Sequence, residues 1–592
     1  MYFVVKRFRF FVEPLPAVVL AGIFSILFAS LSFAQRLEQL DAQRQQQASA
    51  HQARIDREQQ TPDQQSGLFN ELAATDQLGG RRSYVHGEKP CFEIRNVQLD
   101  GQHAYRFAST LASITGGRDR GRGLASPIGL CLGAQSIQTL AVRLQDLLIE
   151  QGYVTTRVLV APQDISNGNL TLTVVPGTIS ALRRTDTSDI RAHFWNAIPI
   201  SDGDFLNLRD LEQGLENLRR LPSVQADIDI GPGQLPGQSE LLINWNQSKP
   251  LRVFASVDDA GNKATGKYQA ALTVAADHIF TLNDIFYVSD SRTLGNTKNQ
   301  RRRAGSSGFH YSIPWGYWQL AFNTNRFRYH QLIAASIRPY VYSGESRSTD
   351  LTLSRVVWRD NRRKTQMYLK GWERRSYNYI DGTELELQRR RTAGWELGLN
   401  HREYLSRATL DVAVAYRRGT GARGAMAAPE EQTGEGTSRF RLVTGSLSLA
   451  VPFRIGQQAF RYYGTLRAQW NSTRLVALDQ FAIGGRYTVR GFDGEQVLMG
   501  ERGWAWRNEL AMPLQVGVLV GQELYLGLDV GRVGGPASRY LAGNSLAGAV
   551  LGIRGQLGKY VNYELFAGKP LHKPETFKTA RIASGFSMSI AY

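Results

Sequence analysis

Beyond Leu251, apolar and polar residues alternate one by one through most of the chain. In ATLDVAVAYRR, Leu410, Val412, Val414 and Tyr416 fall on one face, and Thr409, Asp411, Ala413, Ala415 and Arg417 on the other. The closing segment IASGFSMSIAY sets Ile582, Phe586, Met588, Ile590 and Tyr592 against Ala583, Gly585, Ser587, Ser589 and Ala591. A period of two marks strands whose faces meet different surroundings. With ~10 residues per tilted membrane strand plus its connection, the stretch to Tyr592 predicts about sixteen strands. Leu332–Tyr342 is the ambiguous segment, and the even strand number of such barrels selects sixteen. A β-sandwich or propeller also alternates. The last strand ending on the aromatic Tyr592, with Tyr and Trp scattered elsewhere, favours a transmembrane β-barrel, apolar outside and polar inside.

Ahead of this region the period changes. Ser136–Tyr153 spaces Ile137, Leu140, Leu144, Leu147 and Leu148 along one helical face, and Gly152 stops it. The strand-like CFEIRNVQLDG precedes it, and VTTRVLVAP and NLTLTVVPG follow. A second unit repeats the order: TISALRR, a helix at Asn207–Ser223 with Leu208, Leu211, Leu215 and Leu218 in a stripe, then VQADIDIGPG and SELLINWNQ. Two tandem β-α-β-β units are expected, scaffolds whose free sheet edges are also able to accept an extended chain. Further upstream, Gln35–Gln60 is rich in Gln, Arg, Glu and Ala, without Gly or Pro and almost without an apolar stripe. Such a helix is stable only in a polar setting. Thr61-Pro62 ends it, and the stretch to Lys89 reads as a linker.

At the start, Lys6, Arg7 and Arg9 precede an apolar run from Leu15 to Phe33, which closes on Ser32-Phe33-Ala34. That order predicts a secretory signal cut after Ala34; an uncleaved membrane anchor is the alternative. No other segment has ~18 consecutive apolar residues, so the exported chain is soluble or a β-barrel.

Composition narrows the function classes. The formal charge is +18, which suits a solvated basic surface or an anionic membrane. No zinc-finger, RRM-like or helix-turn-helix signature accompanies it, so no nucleic acid is expected. No GxSxG elbow, HExxH helix or phosphate loop appears. An enzyme is therefore not expected, and no cofactor, catalytic residue or metal ligand is assigned. GGRDRGRG (Gly116–Gly123) reads as a flexible loop rather than a phosphate or RNA contact. The runs Arg301–Arg303 and Arg389–Arg391 read as barrel loops or lumenal residues. Only two cysteines occur, Cys91 and Cys131. An oxidising compartment favours pairing them, with two separate buried thiols as the alternative.

One segment breaks the alternation. GGRYTVRGFDGEQ (Gly484–Gln496) is a glycine-punctuated loop carrying Arg490, placed after about eleven strands of ~10 residues each and so, by parity, on the outer side. GWAWRNELAM sets Arg507 and Glu509 on the face away from Leu510. In LYLGLDVGRV, Asp529 lies opposite Leu526, Leu528 and Val530, hence in the lumen, with Gly527 and Gly531 leaving room beside it. An inward-folded loop would let Arg490 and Asp529 form a charge-assisted bond. A solvated arginine on a surface turn is the alternative.

The paired α+β units, DDAGNKATGKYQ (Asp258–Gln269), the loop motif Val489-Arg490-Gly491-Phe492 and GLDVG (Gly527–Gly531) together resemble the outer-membrane transporters of two-partner secretion. These are Omp85-superfamily proteins that export adhesins, haemolysins and contact-dependent inhibition toxins. The resemblance covers essentially the whole chain. It implies a signal peptide (1–34), a plug helix (35–60), a linker (61–89), two POTRA domains (90–176 and 177–248), and a sixteen-stranded antiparallel barrel (249–592) with an inward loop at 481–502. It also implies an Arg490–Asp529 salt bridge and a Cys91–Cys131 disulfide in the first POTRA domain. The implied location is the outer membrane of a Gram-negative bacterium, with the POTRA domains in the periplasm. The implied partners are a large exoprotein with an N-terminal secretion domain, the lipid bilayer and lipopolysaccharide, and the barrel assembly machinery during biogenesis; the transporter itself is expected to be a monomer. An assembly factor of the same superfamily is the second reading, and a passive channel a third.

Overall fold

In this computed structural model, the described residues are 37–54, 56–57, 83–85, 87–116, 125–295, 301–334, 338–516, 519–558 and 560–592. The expected signal peptide, most of the linker and nearly all of GGRDRGRG lie outside them. Sixteen antiparallel strands close into one barrel, running from Leu251–Asp258 to Ala583–Ala591, and these two strands pair with each other. The sheet is held because each strand pairs with both neighbours, the closing seam over the five residues Ser587–Ala591 opposite Phe254–Asp258, so that backbone groups facing lipid are met within the wall. The faces divide as the alternation predicts. Leu397, Val414 and Met588 are exposed on the outside, whereas Ala415, Ala505 and Asp529 are buried inside. Leu332–Tyr342 is not a strand of its own: Trp318–Ile333 ends within it and Tyr340–Arg359 begins there. The two basic runs depart from expectation in part. Arg301, Arg302 and Arg389 lie in loops and Arg390 faces the lumen, as expected, but Arg303 and Arg391 are strand residues on the outer face.

The first POTRA unit carries an element the leucine pattern does not reveal. After a 3-10 turn at Ala104–Phe107, Ala108–Thr115 forms a helix that buries Leu111 and Ile114 against Leu140 and Leu144. Eight residues rich in Ser and Thr span barely two turns, too short for a periodic signal and poor in helix propensity. Its sheet runs Asn96–Asp100, Asn169–Val175, Arg157–Leu159, with the first pair parallel. Cys91 and Cys131 are disulfide-bonded beside two short paired strands, Phe92–Glu93 and Cys131–Leu132. In the second unit Leu208, Leu211, Leu215 and Leu218 are all buried by the three-stranded sheet of Thr178–Arg184, Gln238–Gln247 and Val224–Pro232.

This second unit is fastened to the barrel. Ala275, Ile285 and Tyr287 of the barrel wall join its apolar core. The polar face of helix Leu208–Arg219 meets the periplasmic turns: Asn217 donates to the Gly316 carbonyl at 2.7 Å, and Arg359 donates to Glu216 at 2.8 Å and Glu212 at 3.4 Å. The barrel's orientation follows, with the turns at residues 278–284, 316–317 and 360–362 on the POTRA side.

Candidate functional site

The loop between strands Gln458–Asn471 and Arg502–Val516, the eleventh and twelfth of the wall, turns back into the barrel. Its arms pair as a short hairpin, Phe481–Ile483 with Leu498–Gly500. Val489 and Phe492 anchor it in an apolar patch with Ile483, Leu498, Val533, Leu546 and Phe577. Gly491 has φ of 96°, and a Cβ there would lie 2.6 Å from the Lys569 carbonyl oxygen, so the tip demands glycine.

Arg490 is thereby delivered to Asp529. Its Nε donates to Asp529 Oδ2 at 2.7 Å and its Nη2 to Oδ1 at 2.9 Å, a bidentate pair, while its backbone N–H adds a third bond at 2.9 Å. The Asp529 side chain is 0% exposed and that of Arg490 7%. Gly527 supplies the expected room, since a Cβ there would meet Arg490 Nη2 at 2.5 Å. The space beside Gly531 is filled by Val489 instead. Sequence reasoning placed Glu509 on the lumenal face without giving it a partner, and it is the second acceptor of Arg490, at 2.5 Å. From Glu509 the charges continue through Arg554 (2.7 Å), Glu523 (2.9 Å) and Arg461 (2.6 Å). The alternating faces of these strands foretell which residues enter the lumen, but not how deep the loop reaches.

The N-terminal helix, described at 37–54 and 56–57, runs through the lumen beside this loop. Gln43 and Gln47 donate to the Gly494 carbonyl at 3.0 and 2.9 Å, and Gln46 to that of Gln480 at 2.7 Å. Glu38 pairs with Arg390 at 2.6 Å towards the extracellular end. Asp41 accepts from Tyr329 at 3.0 Å, and Asp258 of the first strand accepts from Arg54 at 2.7 Å and lies 3.3 Å from His51. Tyr287 donates to Asp56 at 2.9 Å towards the periplasmic end. Leu37 and Ala42 are the buried apolar residues of the helix, among buried Asp41, Gln43, Arg44, Gln45, His51 and Gln52. Polar side chains therefore seat it almost throughout. The DDAGNKATGKYQ segment joins in: Asp259 lies 3.3 Å from Arg486 of the loop, and Glu495 accepts from the Lys263 backbone N–H at 2.9 Å. Among the described residues no group of three or more His, Cys, Asp or Glu has the arrangement of a metal site. The disulfide lies apart, in the first POTRA unit.

A lumenal helix, an inward arginine loop locked on a wall carboxylate and two POTRA units on a sixteen-stranded barrel form one constellation. The profile of the family described as haemolysin secretion/activation protein ShlB/FhaC/HecB matches residues 237–555, and two POTRA profiles match 92–177 and 178–232. The chain belongs to this family. It is an outer-membrane transporter of the two-partner secretion branch of the Omp85 superfamily, with its POTRA domains in the periplasm. It is 37% identical over 563 residues to a protein named outer membrane transporter CdiB-2 from Burkholderia pseudomallei strain 1026b, covering 91% of this chain and 94% of that one. It is also similar to the hemolysin transporter protein ShlB of Serratia marcescens, at 26% identity over 68% of this chain and 71% of the other. Among solved structures, CdiB from Acinetobacter baumannii superposes with a TM-score of 0.76 at 28% identity, covering 92% of the transporter and 98% of that chain.

Proposed function

We propose that the transporter carries one large exoprotein, an adhesin, haemolysin or contact-dependent inhibition toxin with an N-terminal secretion domain, from periplasm to cell surface without nucleotide hydrolysis. The unfolded client docks on the free POTRA sheet edges by strand addition. The helix at 35–60 acts as a plug that leaves the lumen, and the client passes as an extended chain along the polar wall, its folding outside biasing the movement. Signal peptide 1–34 and linker 61–89 complete the proposed domain plan, with POTRA domains at 90–176 and 177–248 and the barrel at 249–592. Arg490 and Asp529 hold the loop as a fixed element of the translocation path. The barrel works as a monomer in a lipopolysaccharide-containing bilayer, placed there by the barrel assembly machinery.

The observation that supports this reading is the way the plug is held. Its contacts are mostly hydrogen bonds and ion pairs to loop and wall, which water or a passing polypeptide replaces at small net cost. An apolar plug would be a permanent core. The assembly-factor reading is less favoured, because the described residues form two POTRA units, whereas such factors carry more. The test pairs this chain, in a secretion-negative host, with a large exoprotein that carries an N-terminal secretion domain and comes from the same genome, and measures surface-exposed exoprotein. Export with the wild type, and at least a tenfold loss with R490A inserted at wild-type levels, is expected. Normal export by R490A would remove the loop from the mechanism, and no export by the wild type would remove the client class.

A further inference from the structure

The outward face of the barrel carries a feature that neither lumen nor plug explains. On four successive strands Arg326, Arg347, Arg375 and Arg391 stand in one lateral row, each directly opposite the next in the ladder register. Like charges in directly opposed positions destabilise a sheet, and strands about 4.8 Å apart compress this row into roughly 15 Å. Arg328 and Arg423 flank it. Against these six guanidinium groups stand two carboxylates. Glu345 takes Arg326 at 2.6 Å and Arg328 at 3.1 Å; Glu373 takes Arg375 at 2.5 Å, Arg391 at 3.4 Å and Arg423 at 3.4 Å. Arg347 meets only the Thr324 hydroxyl, at 3.4 Å, and among the described residues no carboxylate lies within ion-pair distance of it. The patch is left strongly positive and open, with Arg326 45% and Arg375 42% exposed.

Its height on the barrel is informative. The outward file below Arg326 is Thr324, Phe322, Leu320 and Trp318; below Arg347 it is Thr349, Leu351 and Leu353; below Arg391 it is Ala393, Trp395, Leu397 and Leu399. Leu320, Leu351, Leu353, Leu397 and Leu399 are exposed. Trp318 lies at the periplasmic turn, eight residues from Arg326. That is about 27 Å along a strand, or roughly 20 Å along the barrel axis at ~40° tilt, close to the ~25 Å apolar band of such barrels. The row therefore sits at the outer-leaflet headgroup level, above a belt of Thr324, Thr349, Glu373 and Ala393, with acyl-chain surface beginning at Phe322, Leu351 and Trp395. Where the barrel closes, by contrast, the outward row Met588–Val257–Ala270 is apolar.

We propose that this row is a binding site for the phosphorylated headgroup of outer-leaflet lipopolysaccharide, its lipid A phosphates bridging the arginines and its acyl chains lying on Leu351, Leu397 and Trp395. Guanidinium forks match phosphate oxygens bidentately, and a headgroup with two phosphates answers a row of cations that one phosphate would leave repelling. The site rests on the barrel's outer-membrane placement and not on the identity of the client.

Native mass spectrometry of the full-length transporter in detergent tests it, with bisphosphorylated lipid A, dephosphorylated lipid A, phosphatidylglycerol and inorganic phosphate as probes. Bisphosphorylated lipid A is expected to bind and to resist competition by the other three. R347Q/R391Q is expected to bind it at least tenfold more weakly while keeping the heat-modifiable barrel band. Equal binding by that variant would overturn the proposal, and so would equal competition by phosphatidylglycerol (a nonspecific anionic-lipid surface) or by inorganic phosphate. R347K/R391K serves as a second variant that keeps the charge; it is expected to bind between wild type and R347Q/R391Q, and binding as tight as the wild type would overturn the bidentate part. Should R347Q/R391Q not fold, the lysine variant and the wild-type competition decide. Export is measured on the same variants. Unchanged lipid affinity with normal export rejects this site alone, whereas absent export by the lipid-binding wild type rejects the proposed client class alone.

Discussion

Arg490 is the residue on which the loop's position turns, because its partner is out of water. An exposed arginine–carboxylate pair contributes about 0–1 kcal/mol. With Asp529 fully buried, removing Arg490 leaves it only the more distant Arg507, at 3.9 Å, at a cost approaching that of a broken buried pair, about 3–5 kcal/mol. R490A and D529A are therefore each expected to release the loop, and E509Q less so, because Glu509 also binds Arg554. Susceptibility of the loop to protease on intact cells reads this directly. The double variant R490A/D529A is expected to be no worse than either single change, since it leaves no orphaned charge; strictly additive effects would show that the two do not act as a pair. Asp529 was legible from the chain because it is a lumenal carboxylate set between two glycines. Glu509 was not, because its contact depends on how far the loop descends.

At the scale of elements, the lumenal helix and the POTRA helices obey different physics. The former has little apolar surface to bury, so its hold is the sum of many polar contacts. Deleting residues 35–60 is expected to leave the barrel folded and to raise its conductance in planar bilayers several-fold; unchanged conductance would show that the helix does not limit the pore. The POTRA helix Ala134–Glu150 is held by Leu140, Leu144 and Leu148 and is capped from a distance. Glu88 accepts from the backbone N–H groups of Gly133, Gln135 and Ser136 at 3.0, 2.8 and 3.2 Å. Hydrogen bonding from Ser136, with help from these amides, holds the Glu88 carboxyl below its ordinary value of 4.5. A carboxyl depressed in the folded state stabilises fully above that ordinary value and loses its contribution as the pH falls through the depressed one. Amide-exchange protection of residues 133–140 is thus expected to fall on acidification below pH 4.5, and E88Q to show the reduced protection already at pH 7. A wild-type acid response that survives in E88Q would assign it to another group. Sequence patterning located the leucine-striped helices and missed Ala108–Thr115, whose helicity comes from packing rather than from its own residues.

At the scale of the molecule, the second POTRA unit and the barrel share one core and one charge cluster. Burial alone would raise the Glu216 carboxyl, but Lys364 and Arg359 outweigh it and hold it below its ordinary range. R359A/K364A strands that carboxylate, a penalty of about 3–5 kcal/mol. Spin-label distances between the second POTRA unit and the periplasmic turns are expected to broaden in this variant while barrel insertion is unchanged; an unaltered distribution would show that the apolar contacts of Ala275, Ile285 and Tyr287 suffice. By itself the sequence determined the facing of the strands, the two leucine-striped units and the polarity of the N-terminal helix, while the count of sixteen also needed the even-number rule of such barrels. These follow from local periodicity, which needs no knowledge of neighbours. The tertiary structure alone decided the further meetings of charge: Arg490 with Glu509 as well as Asp529, Arg54 with Asp258, and four outward arginines in one row. Such pairings depend on strand register and loop depth, which closure of the barrel sets across hundreds of residues.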